Sequence, residues 1–157
     1  MADDKRIAEI FLDGRSVISR SPQVEHERKV AIYDLLEENY FDPEGGFEGP
    51  FTLHLGIREN RLVFDVRSQA DKPLVEFTLA LASLRSIVRD YFLICDSYYE
   101  AIKSASPSKI EAIDMGRRGL HDEGAEILKE RLAGKADIDK RTARRLFTLI
   151  CVLHIRS

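Results

Sequence analysis

Three short segments with a period of two, followed at once by a long segment with a period of 3.6, constrain this chain more than any other feature. In FTLHLGI, Phe51, Leu53, Leu55 and Ile57 alternate with Thr52, His54 and Gly56. RLVFDVR sets Leu62, Phe64 and Val66 opposite Val63, Asp65 and Arg67, and VEFTLAL sets Val75, Phe77, Leu79 and Leu81 on one side. Successive side chains of a strand point to opposite faces, so each segment buries one face and wets the other. RENR lies between the first two, and Asn60 tolerates the left-handed backbone that closes a hairpin. An antiparallel meander is therefore predicted, with a buried face that helices must cover. From Ser83 the spacing becomes helical: Leu84, Ile87, Val88, Tyr91, Ile94, Cys95, Tyr98 and Ile102 share a stripe that Phe92 and Tyr99 widen.

The remaining elements follow from local signals. RIAEIFL, residues 6–12, is rich in β-branched and aromatic residues and reads as a strand. Ser21 as N-cap and Pro22 in the first turn open a helix over about 22–39. DPEGGFEGP, residues 42–50, holds three Gly and two Pro, which predicts a flexible loop with Phe47 at its tip. Ser106-Pro107 starts another helix that Gly134 ends, and Asp139 caps a last helix over 140–154. The order β-α-β-β-β-α-α-α describes a single α+β domain over 1–157, a small antiparallel sheet with helices packed on one side. Periodicity alone does not choose the helix that lies on the sheet.

Composition narrows the class. With 44% apolar and 32% charged residues, a chain of 157 residues buries a core without staples. MADDKR is no signal peptide, and the longest nearly apolar run, Leu146 to Ile155, is half the ~20 residues that span a bilayer. A cytoplasmic protein with no membrane partner is expected, with Cys95 and Cys151 as reduced core residues. Residues 1–99 carry a net −6 and residues 100–157 a net +3, far from a nucleic-acid footprint. His26, His54, His121 and His154 sit on four different predicted elements, so no metal site and no cofactor is expected. Phosphate-loop, GxSxG, HExxH and CxxC signatures are absent.

Taken together, EHERKVAIYDLLEEN, RLVFDVR, RDYFLICDSYYEAI, IEAIDMGRRGLHDEGAEILKERLAGK and TARRLFTLICVLH resemble the bacterial, chiefly alphaproteobacterial, uncharacterised protein family 0262. The resemblance covers essentially the whole chain. It implies a bacterial cytoplasmic protein and no particular activity, so it assigns no catalytic residue.

IDMGRRGLHDEG, residues 113–124, is an anomalous stretch of helix, with three glycines among adjacent arginines and a His-Asp-Glu run. Ala112, Gly116 and Gly119 share one face, which predicts close packing of another helix and explains why ~1 kcal/mol per glycine is tolerated. Alternatively this groove, with Arg117, Arg118, His121, Asp122 and Glu123, receives a ligand or partner, and the third alternative is a break in the helix near Gly116 or Gly119. Arg117 lies in line with Ile113 and Leu120, so its stem runs over apolar surface toward a carboxylate or an anion. Arg118 and Asp122 are i, i+4 neighbours that can pair.

The last helix is the second anomaly. Lys140, Arg141, Arg144 and Arg145 crowd its first turns, where the helix dipole favours negative charge. Asp137, Asp139, Glu123, Glu126 or Glu130 can compensate, or an anion such as phosphate binds across the arginines and N-terminal amides. Further along, RRLFTLICVLHI is apolar all round and must be covered, either by central burial or by a homodimer through 146–155. These features favour a non-enzymatic protein-binding or regulatory module with an unknown protein partner. The alternative is an enzyme or sensor for a phosphorylated small molecule, with Arg117, Arg118, Arg144 and Arg145 as the anion clamp and His121 or Glu123 as acid–base group.

Overall fold

The computed structural model describes residues 4–12 and 22–154. The elements run β1 (Ile7–Leu12), α1 (Pro22–Glu37), β2 (Phe41–Pro43), β3 (Phe51–Arg58), β4 (Arg61–Ser68), β5 (Pro73–Ala80), α2 (Ala82–Ser104), α3 (Pro107–Leu132), β6 (Ala136–Ile138) and α4 (Lys140–His154). Ser21, expected to cap α1, and Ile155, at the end of the proposed dimer segment, lie outside the described residues.

The meander forms as the alternation predicts. β3 pairs antiparallel with β4, and β4 with β5. Glu59 and Asn60 both take positive φ, 52° and 62°, which makes a two-residue turn whose twist suits the strands on either side. Phe51, Leu53, Leu55, Leu62, Phe64 and Val66 are buried. Phe64 and Phe77 face each other across neighbouring strands, stacked at 5.0 Å. The four-stranded sheet has the order β1-β3-β4-β5, and it is mixed, because β1 runs parallel to β3. The intervening α1 carries the crossover that a parallel pair requires.

Two corrections concern short elements. Asp42 and Pro43, assigned to a loop over 42–50, belong to β2, which pairs antiparallel with β6. Pro43 is tolerated because the ladder is only two strands wide. Phe47 is not an exposed tip: it packs against the core. Asn39 then ties α1 to the sheet, donating to the Leu35 and Ile7 carbonyls at 2.8 and 2.9 Å and accepting from the Ile7 amide at 2.7 Å.

α4 is the centre of the molecule. Leu146, Phe147, Leu149, Ile150 and Leu153 are fully buried, with Cys151 and Val152 nearly so. α1 and α3 pack along it, α2 touches it, and its remaining side meets β3. Central burial therefore accounts for the apolar surface that prompted the expectation of a homodimer through 146–155. Among the described residues, no helix is long and apolar enough to cross a membrane.

The close-packing glycine is also not where the spacing placed it. Ala112, Gly116 and Gly119 are exposed on α3. A Cβ at Gly119 would meet nothing, and one at Gly116 would meet only the movable tip of Ile94. Gly124 instead lets Phe147 approach so closely that a Cβ would fall 2.2 Å from the ring. Gly124→Ala is therefore expected to cost about 2–4 kcal/mol through displacement of a core aromatic, whereas Gly119→Ala gains about 0.5–1 kcal/mol of helix propensity. Urea unfolding of both variants checks the pair, and the same sign for both would contradict this packing.

Candidate functional site

Burial of the apolar face of α4 forces its charged residues onto the opposite side. Lys140, Arg141, Arg144, Arg145 and Thr148 recur at helical spacing and line one wall of an open cleft of about 810 Å³. α3 contributes Arg117, Arg118 and His121, α2 contributes Tyr91, and α1 contributes His26, Glu27, Val30, Ala31 and Asp34. Six permanent cations thus surround one concavity with two carboxylates in its lining.

The cations differ in how they are held. Arg117 reaches Asp114 at 2.6 Å through Nη2 and at 3.1 Å through Nε, and its guanidinium lies 5.0 Å over the Tyr98 ring. Burial by itself would lower its pKa, but bonds to Asp114 and Tyr91 outweigh this and raise it. Arg118 shares the same carboxylate at 3.0 Å, and the bond to Arg117 is the main reason the Asp114 pKa falls below the usual carboxylate range. Arg144 stands 3.3 Å from Asp122, and Arg141 pairs with Glu38. Among the described residues, Arg145 has only the Glu38 carbonyl, at 3.4 Å. Lys140 has no ion-pair partner among the described residues.

The floor is aromatic and neutral. His121 packs against Tyr91 and Phe147, both at 5.4 Å, and its Nε2 lies 2.7 Å from the Thr148 hydroxyl. Burial pushes its pKa down to about 4; Arg144 adds to the shift, Asp122 opposes it, and Arg117 adds further. Burial likewise raises Cys95 to about 11 and holds the Cys151 thiol far above its ordinary value. Both remain free thiols that are protonated at neutral pH.

The fold therefore gathers Arg117, Arg118, His121, Arg144 and Arg145 around one cleft. Asp122 sits beside it on Arg144 rather than pairing with Arg118. Glu123 is exposed and does not line it. The carboxylates that meet the last helix are Asp122 and Glu38, in place of Glu123, Glu126 or Glu130. Asp139 caps α4 by accepting from the Thr142 amide at 2.8 Å, which removes that amide from any anion. Sequence reasoning missed the α1 wall, although Glu27, Val30, Ala31 and Asp34 recur at i, i+3, i+4 and i+7. Among the described residues, no group of three or more His, Cys, Asp or Glu is placed to hold a metal.

Fold and site define an α+β protein with a cationic cleft between helices. The chain belongs to the Uncharacterised protein family (UPF0262), whose model matches residues 4–156. It is 58% identical over 157 residues to the UPF0262 protein of Paramagnetospirillum magneticum, covering all of both chains. It is 60% identical over 151 residues to that of Rhodopseudomonas palustris strain TIE-1, covering 96% and 93%. A third relative, from Bradyrhizobium sp., is 59% identical over 155 residues, covering 97% and 92%. No solved structure matches the chain.

The buried imidazole has a consequence for stability. His121 takes a proton near 6.5 when unfolded but only near about 4 when folded. Between these values the unfolded chain binds the extra proton, so stability falls as pH drops through the window and is unaffected by His121 above it. His121→Gln is expected to lose the ring contacts at pH 7, yet its urea midpoint should fall less on acidification to about pH 4.5. The difference corresponds to roughly 2 kcal/mol. Equal falls in both proteins would place the titration elsewhere.

Proposed function

We propose that the cleft binds a phosphorylated small molecule and that the protein acts as a regulatory or sensing module for that ligand. The observation that carries this reading is the convergence of six cationic side chains from α3 and α4 on one open concavity. Three carboxylates, Asp114, Asp122 and Glu38, are spread over four arginines, and among the described residues Lys140 and Arg145 are left without a carboxylate. Like charges this close repel within the ~8 Å screening length of physiological salt, and a phosphate relieves that repulsion. The planar fork of a guanidinium also matches phosphate oxygens two at a time.

Binding is better supported than proton transfer. His121 is held neutral, packed between rings and engaged with Thr148, and Glu123, the other acid–base candidate, does not line the cleft. Two of the features that favoured a protein partner, the apolar part of α4 and Phe47, pack into the core instead, while the face of Ala112, Gly116 and Gly119 is exposed.

Phosphate at about five times its Kd is expected to stabilise the protein by about 1 kcal/mol, a rise of roughly 2–4 °C in Tm. Lys140→Ala combined with Arg145→Ala removes the cations that are not carboxylate-paired and should abolish the rise. Thermal unfolding in phosphate and in chloride at equal ionic strength checks this. A rise no larger than chloride gives, or one that survives in the double variant, contradicts the proposal.

A further inference from the structure

We infer that the ligand of this cleft is a phosphorylated polyol, its phosphate held by the arginines of α3 and α4 and its hydroxyls by Asp34 on the opposite wall; this rests on the phosphate reading above. The two walls differ in chemistry. α3 and α4 present the cations, whereas α1 presents Glu27, Val30, Ala31 and Asp34. Glu27 is already occupied, accepting from the Tyr99 hydroxyl at 2.7 Å. Asp34 is half-buried and makes no hydrogen bond or ion pair among the described residues. Lys140 and Arg145 line the same cleft, yet neither stands within ion-pairing distance of Asp34. A carboxylate and an ammonium thus line the same cleft without pairing with each other, and among the described residues neither has an ionic partner.

The chemistry of the group facing Asp34 follows from what surrounds it. An ionised carboxylate only accepts hydrogen bonds, so a ligand that covers it must bring donors or leave a desolvated charge unpaired. A ligand ammonium is such a donor, but it would enter a cleft lined by six cations and be repelled by them. Neutral hydroxyls carry no such penalty, and a carboxylate accepting from a diol is a recurrent solution in sugar recognition. Val30, 42% exposed, stands one helical turn from Asp34 and offers apolar surface to the C–H face of a polyol. The volume, about 810 Å³, accommodates more than phosphate alone.

Calorimetric titration of the whole protein with methyl phosphate, ribose 5-phosphate and phosphoethanolamine, in wild type and Asp34→Ala, tests this. Wild type is expected to bind ribose 5-phosphate at least about ten-fold more tightly than methyl phosphate. In Asp34→Ala the preference should collapse toward one, while methyl phosphate binds as tightly as before or more so, because a negative charge has gone. Asp34 lies on a helix surface where Ala is a good helix former, and unchanged unfolding in urea verifies the fold. The inference is overturned if the two esters bind wild type equally, if the preference survives in Asp34→Ala, or if phosphoethanolamine binds most tightly. Methyl phosphate binding that needs Lys140 and Arg145 but shows no polyol preference sinks only this inference. Failure of every phosphate ester to bind sinks both.

Discussion

Everything in this molecule is arranged around the burial of α4. Its apolar residues from Leu146 to Leu153 are covered by α1, α2, α3 and β3, so one helix supplies a core contact for all three other helices and for the sheet. Burying seven apolar side chains of this size is worth on the order of 10–20 kcal/mol before the entropy of ordering is set against it. Gly124 permits the closest of these contacts by letting α3 settle onto the Phe147 ring. The sheet is subordinate to this arrangement, and Asn39 fastens its strand β1 to the end of α1.

The cleft follows from the same constraint. A helix that buries its second half on all sides has only its first turns and one polar stripe with which to meet water. Lys140, Arg141, Arg144 and Arg145 occupy that stripe, and the neighbouring helices bring Arg117 and Arg118 alongside. Positive charge at a helix N-terminus opposes the dipole by roughly 0.3–1 kcal/mol per group, and Glu38 and Asp122 offset it only in part. Glu27 and Asp34 opposite make the cleft two-sided rather than uniformly cationic.

Much of this was legible in the residues alone. Strict alternation in 51–81 dictated the meander, the Ser106-Pro107 pair marked the start of α3, and Asp139 marked that of α4. Arg117 was recognisable as a candidate because helix periodicity sets it in line with Ile113 and Leu120, and Arg144 and Arg145 because they crowd helix turns whose dipole favours negative charge. What escaped depends on distances that spacing does not encode. The parallel pairing of β1 with β3 needs the path of α1 in space, and the β2–β6 ladder is too short to show a period. Gly124 differs from Gly116 and Gly119 only through the neighbour it meets, since all three look alike as breaks in a helical pattern. Charge pairing failed for a related reason: Asp122 is as near to Arg118 along the helix as Asp114 is, but Arg144 of α4 claims it.

Amide chemical shifts followed by two-dimensional NMR during titration with phosphate test most directly whether the gathered cations form an anion site. The account predicts saturable shifts confined to residues 117–121 of α3 and 140–148 of α4, with smaller ones at 27–34 of α1. Shifts centred instead on the basic residues of the sheet, Arg58, Arg61 and Arg67, or a uniform response that chloride reproduces, would contradict it.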